Sequence, residues 1–271
     1  DEVDQHGFKA QFLAIRDSFE VSVIADYAKS DANCCWGSAQ VFNGPTTPLV
    51  QAYASLNGLT YTNAPAAERD RSASLNTTPG ELVEDGGLSV RLEWNLRDDI
   101  TLTSLTSLRD WENTQTDADA DFVPADLFIL NEPADIENFS QELNLLLPLR
   151  RRGNTTDDIL LGFYYANEDY GSQFGVETGH DADNYLNALI SSLRGATACL
   201  PGVVAVDCLF PVGVGALLAD GQLSRTIFEQ ESESIGAYAH ARISLTEKLG
   251  LVTGLRYTIE DKEGGADNPY W

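Results

Sequence analysis

Hydrophobic and polar positions alternate with a period of two in a series of stretches along this chain. Phe8, Ala10, Phe12 and Ala14 alternate with Lys9, Gln11 and Leu13, and after the short turn Arg16-Asp17-Ser18, Phe19, Val21, Val23, Ala25 and Tyr27 alternate with Glu20, Ser22, Ile24, Asp26 and Ala28. That period places successive side chains on opposite faces of a strand. Read this way, the chain predicts eight strands, near 6–15, 19–30, 87–96, 99–112, 137–147, 158–169, 230–245 and 249–261. One stretch has a helical period instead: "DNYLNALISSLR", 183–194, which predicts a short helix inside a loop.

The connections carry the next piece of information. Three of the hairpins close in about three residues and the one between the fifth and sixth strands in roughly ten, whereas residues 31–86, 112–136 and 170–229 form long polar loops. Short turns at one end and long loops at the other are a feature of transmembrane β-barrels. The strands, at about 10 to 15 residues, reach the roughly 9–11 needed to cross a bilayer at a tilt.

The alternate face carries Lys9, Asp26, Arg91, Glu93, Arg109, Glu142, Arg242, Arg256 and Glu260. A dry core would have to neutralise these charges, while a wet lumen tolerates them. The expected fold class is therefore all-β, an antiparallel transmembrane β-barrel segment with its oily face toward lipid. A soluble β-sandwich with one wet face produces the same alternation and stays open as an alternative.

Charge narrows the partners. Asp and Glu number 42 against 17 Lys and Arg, a formal charge of -25. This argues against nucleic acid, which requires a basic face. Arg150-Arg151-Arg152 is the single basic cluster and is expected to be a solvated turn. No run approaches the ~18 apolar residues of a membrane helix. "DEVDQHGFKA" has no signal-peptide pattern, and the absence of methionine is expected to reflect processing or truncation. Four cysteines, Cys34, Cys35, Cys199 and Cys208, allow three pairings. Two loop disulfides are expected, with Cys199 and Cys208 as one pair.

Little points to catalysis. "DADAD", 117–121, opens like a calcium loop, but Phe122 stands where glycine is needed and Phe128 where glutamate is needed. It is expected to be a solvated acidic loop. "GVGALL", 213–218, lacks the third glycine of a nucleotide loop, and no HExxH or GxSxG occurs. No enzyme activity, cofactor or metal site is expected.

Several segments are similar to one family. "ARISLTEKLGLVTGLRYTIEDKE" (241–263), "ENFSQELNLLLP" (137–148), "DDILLGFYYANEDY" (157–170) and "DITLTSLTSLRDWE" (99–112) resemble barrel strands of TonB-dependent outer-membrane receptors, and "ADYAKSDANCC" (25–35) resembles the start of a first long loop in some members. The resemblance covers nearly all the regular strands, in order. It implies an internal part of a 22-stranded barrel, without the plug. It further implies a bacterial outer-membrane location and TonB-energised import of a scarce ligand such as a ferric siderophore, cobalamin or a glycan. The implied partners are outer-membrane lipid, the transported small ligand and, through a plug, the inner-membrane TonB complex. As part of such a barrel, the chain is expected to be a curved open sheet with its first and last strands as edges. A complete eight-stranded pore or adhesion barrel and a secreted sandwich module are the alternatives.

The candidate lumen contacts are Tyr238, His240, Arg242 and Arg256, which share one phase of the last two strands. Arg and Tyr suit an anionic ligand or plug carboxylates, and pairing with wall charges such as Glu93 or Glu260 is the competing expectation. Trp36, Tyr53 and Tyr61 offer loop aromatics for stacking.

Overall fold

The computed structural model describes residues 2–33, 47–59, 75–121, 123–152, 155–186, 219–221, 223–246 and 248–268. The chain order is β1 (Glu2–Arg16), β2 (Phe19–Asn33), α1 (Thr47–Leu56), β3 (Gly80–Arg97), β4 (Ile100–Asp119), β5 (Phe128–Arg152), β6 (Thr155–Thr178), β7 (Leu223–Thr246) and β8 (Leu249–Asp267). All eight strands form one antiparallel sheet in sequence order. In it β1 pairs with β2 alone and β8 with β7 alone, so the sheet is open. This geometry departs from a closed eight-stranded barrel, and no second sheet of described residues makes a sandwich.

The strands outrun the sequence expectation at the loop end, because β3 to β8 continue through stretches such as Asn131-Glu132-Pro133-Ala134 that lack strict alternation of hydropathy. The ten-residue connection expected between the fifth and sixth strands is instead paired backbone, with Arg152 opposite Thr155. Arg150–Arg152 accordingly close β5 rather than forming a turn. The other tight turns lie between Arg16 and Phe19, Arg97 and Ile100, and Thr246 and Leu249.

Register sorts the side chains into two faces. On one face, residues opposite each other form rows across the sheet: Val21, Leu92, Ser104, Leu143, Phe163, Ala237 and Tyr257 make one, and Val23, Val90, Thr106, Gln141, Tyr165, Ile235 and Ile259 the next. Large apolar side chains stand uncovered here, with Phe8 63% and Leu255 79% exposed. The polar intruders satisfy one another: Thr106 Oγ1 donates to Gln141 Oε1 (2.6 Å) and Gln141 Nε2 to Ser104 Oγ (3.0 Å). The other face holds all nine charged residues that the alternation singles out. There Arg91 pairs with Glu20 and Glu93, and Arg109 with Asp26 and Asp85.

Among the described residues, the buried apolar side chains lie at the loop end. Val50, Tyr53 and Ala54, spaced i, i+3, i+4, are the buried stripe of α1, and Tyr53 packs with Ala125 and Leu127. The helix is stopped by Gly58, whose φ of +70° turns the chain so that Leu59 N bonds Ala54 O at 2.8 Å. Sequence periodicity did not predict α1, because a single buried turn inside a polar loop leaves too short a pattern. Of the helix expected over 183–194, residues 182–186 are helical and the remainder falls outside the described residues.

Candidate functional site

The polar face of β5 to β8 carries a connected group of side chains. Tyr238 on β7 lies opposite Gly162 on β6, which lies opposite Asn144 on β5. With no side chain at Gly162, the Tyr238 ring crosses the whole of β6; a Cβ on that glycine would overlap the ring. The Tyr238 hydroxyl donates within a network reaching Glu142 Oε1 (2.7 Å) and Asn144 Oδ1 (2.5 Å), and Asn144 Nδ2 donates to Glu142 Oε1 (2.6 Å). Opposite Tyr238 on β8, Arg256 sends its guanidinium carbon to 5.7 Å from the Tyr164 ring centre and donates Nε to Thr258 Oγ1 at 3.0 Å. A hollow on this face is lined by Glu142, Tyr164, Tyr238, His240 and Arg256 among others.

The same device recurs nearer the first strands. Arg109 on β4 lies opposite Gly87 on β3, crosses it, and meets Asp26 on β2 at 3.4 Å. Each bridge uses a glycine in a middle strand to let one long side chain tie two flanking strands.

Of the four candidate contacts, Tyr238, His240 and Arg256 line the hollow, and His240 makes no hydrogen bond or ion pair among the described residues. Arg242 lies nearer the tight turns, bidentate to its cross-strand neighbour Asp158 (3.0 and 2.7 Å). The pairing expected with Glu93 or Glu260 is replaced: Glu93 goes to Arg91, Arg242 to Asp158, and Arg256 to an aromatic face. Glu142, Asn144 and Tyr164 belong to the group but were not singled out as contacts in the sequence. The signal was Gly162, in phase with Tyr164, inside "GFYYAN". Cys34, Cys35, Cys199 and Cys208, as well as Trp36 and Tyr61, lie outside the described residues.

At the loop end a second group ties four segments together. Tyr53 Oη donates to Asp181 Oδ1 (3.0 Å) and packs edge-on against Tyr185, and Asp181 Oδ2 accepts from Asp126 N (3.1 Å). Asp126 in turn accepts from Asn76 Nδ2 (2.9 Å) and His180 N (3.0 Å). Asp119, fully buried, accepts from Asn76 N and Asp121 N, and Asp121 from Val123 N and Phe128 N. Past the exposed Asp117, the "DADAD" stretch is thus not the solvated loop expected: Asp119 and Asp121 are drawn in by backbone N–H groups that their carboxylates satisfy. Burial, then the charge of Asp119, pushes the Asp121 carboxyl up to about 7 against the pull of those donors. Burial and the Asp181 hydrogen bond push the Tyr53 hydroxyl up to about 12, so it stays a donor. No three His, Cys, Asp or Glu side chains among the described residues converge to hold a metal ion. Tyr53 is committed to this clasp and does not present a face for stacking.

No family model and no curated protein matches the sequence. Solved structures do match. The ferripyoverdine receptor of the outer membrane of Pseudomonas aeruginosa aligns over 98% of this chain at 12% identity with a TM-score of 0.56. The ferric preacinetobactin receptor from Acinetobacter baumannii aligns over 98% at 11% and 0.52, and the ferric yersiniabactin uptake receptor from Yersinia pestis over 98% at 11% and 0.54. The chain spans about a third of each, covering 32%, 36% and 33% of their lengths. This chain therefore has the fold of a stretch of the β-barrel of TonB-dependent outer-membrane receptors, the fold to which its sequence motifs point.

Proposed function

We propose that the chain is a contiguous part of the barrel wall of a bacterial outer-membrane receptor that imports a scarce ligand with energy relayed through TonB. The observation that carries this reading is the division of the sheet. One face carries exposed large apolar side chains on all eight strands, and the other pairs Arg91, Arg109 and Arg242 with carboxylates. Lipid suits the first face and a wet, plugged lumen the second. Tyr238, Arg256, Tyr164 and His240 then face the lumen, where a guanidinium on an aromatic ring and an unpartnered imidazole suit an anionic ligand or plug carboxylates. A ferric siderophore is the ligand class favoured by the receptors whose fold it shares. The reading assigns the chain no catalysis.

Expression of the whole gene product tests this. A wall of this kind is expected to require detergent for extraction and to migrate differently on gels before and after heating. Solubility without detergent would sink the reading. Loss of growth on a ferric siderophore after gene deletion, restored by the intact gene but not by a form unable to engage TonB, would support the import role.

A further inference from the structure

Two of the three long connections are joined to each other through backbone, and the third is held differently. Just past the last pair of the β5–β6 ladder, Phe128 with Thr178, Gly179 N donates to Leu127 O and Asp181 N to Asp126 O, each at 2.8 Å. Residues 123–127 and 179–185 are thus one platform, continuous with the sheet. Helix α1 lies in the connection between β2 and β3. Its backbone bonds among the described residues are internal, Asn57 N to Tyr53 O at 3.1 Å and Leu59 N to Ala54 O at 2.8 Å. Side chains tie it to the platform. The Tyr53 hydroxyl donates to Asp181 Oδ1 (3.0 Å), and the Tyr53 ring meets Tyr185 edge-on with centres 5.6 Å apart. Tyr53 and Leu59 share one apolar cluster with Val123, Ala125 and Leu127.

This difference in attachment decides what can move. An isolated helix shorter than about 12–15 residues is marginal in water, and α1 has ten residues. It persists because its stripe of Val50, Tyr53 and Ala54 is covered. Docking and helicity are therefore one equilibrium, and α1 lifted from the platform is α1 unwound. The platform keeps its backbone bonds without that cover, because they extend a strand pair. The far end of the same connection also stays in place: just before β3, Asn76 donates its N to Asp119 (3.0 Å) and its Nδ2 to Asp126 (2.9 Å). A thinly packed segment beside a laddered one is where local opening is easier than global unfolding.

We propose that α1 is a strap across the loop end, undocking and redocking as a unit while the platform beneath it stays folded. Lifting it uncovers Val123, Ala125, Leu127 and Tyr185 and takes one donor from Asp181, and no strand pair breaks. The loop end changes shape while the sheet does not. The strap concerns the loop end alone and holds whichever medium the two sheet faces meet.

The test is amide hydrogen exchange on the whole protein, read on peptides spanning 51–59 and 176–182 and corrected for intrinsic rates. In the native protein 51–59 is expected to exchange at least about tenfold faster than 176–182. Tyr53→Phe keeps the ring and removes the hydroxyl. It is expected to speed exchange over 51–59 about fivefold, the scale of one hydrogen bond, and to leave 176–182 unchanged. Val50→Ala thins the same stripe without touching that bond, and is expected to give the same pattern with a similar or larger factor. It carries the test alone should Tyr53→Phe fail to fold. Equal exchange of the two stretches in the native protein, or a variant that speeds both alike, would make helix and platform a single unit and overturn the strap. Exchange over 51–59 that neither variant moves overturns it as well.

Discussion

The ring of Tyr238 occupies the space that a side chain at Gly162 would need, and from there its hydroxyl reaches Glu142 and Asn144 two strands away. Gly162→Ala is therefore expected to cost about 1–3 kcal/mol through overpacking and to release Tyr238 from both partners. Tyr238→Ala should relieve the clash, so the double variant should be less unstable than the sum of the two single ones. Unfolding of the folded protein in lipid by urea checks this. Additive losses would show that the ring does not lie over Gly162.

How much of this was legible in the sequence follows from the same residues. Alternation alone placed Tyr238, His240, Arg242 and Arg256 on one face, because a period of two needs no knowledge of neighbours. It put Glu142 on that face too, but could not join it to Tyr238 or supply Asn144 and Gly162, whose part depends on register between strands far apart in sequence. Strand ends fell short where β3 to β8 run on through stretches without strict alternation. The loop clasp was missed because "DADAD" carries no hydropathy sign of burial, and only the backbone donors around it make burial tolerable.

The clasp makes a prediction of its own. Tyr53→Phe removes one hydrogen bond and should cost about 1 kcal/mol, while Asp181→Ala leaves both the Tyr53 hydroxyl and Asp126 N unpaired and should cost more, roughly 2–3 kcal/mol. Protease cleavage within 120–127 should rise in that order. Equal sensitivity of both variants and the native protein would show that the Tyr53–Asp181 bond does not hold the loops together.

Acidity bears on the same loops. The Asp121 carboxyl titrates near 7 in the fold, against an ordinary value of 3.8, so the folded clasp binds the proton more tightly than the unfolded chain does. Its contribution is complete below about 4 and is lost as pH rises toward about 7. Resistance of the loop end to protease should fall across that window. Asp121→Asn, which cannot ionise, should flatten the dependence, and a profile unchanged by it would assign the titration to another group.

The two faces can be told apart by charge. Phe163 stands on the apolar face between Leu143 and Ala237, whereas Ser234 stands on the polar face beside Glu260. Arginine at a lipid-facing midplane position costs about 2–4 kcal/mol in a barrel, and far less where water or a carboxylate is at hand. Phe163→Arg should therefore reduce stability in lipid vesicles by that amount, and Ser234→Arg should change it little because Glu260 offers a counterion. Both substitutions introduce the same residue in neighbouring strands, and Phe163→Gln and Ser234→Gln as uncharged references subtract what is lost with the original side chains, so what remains is the medium each face meets. A reversed order would put lipid on the side of Tyr238 and Arg256, and equal costs would remove lipid from both faces.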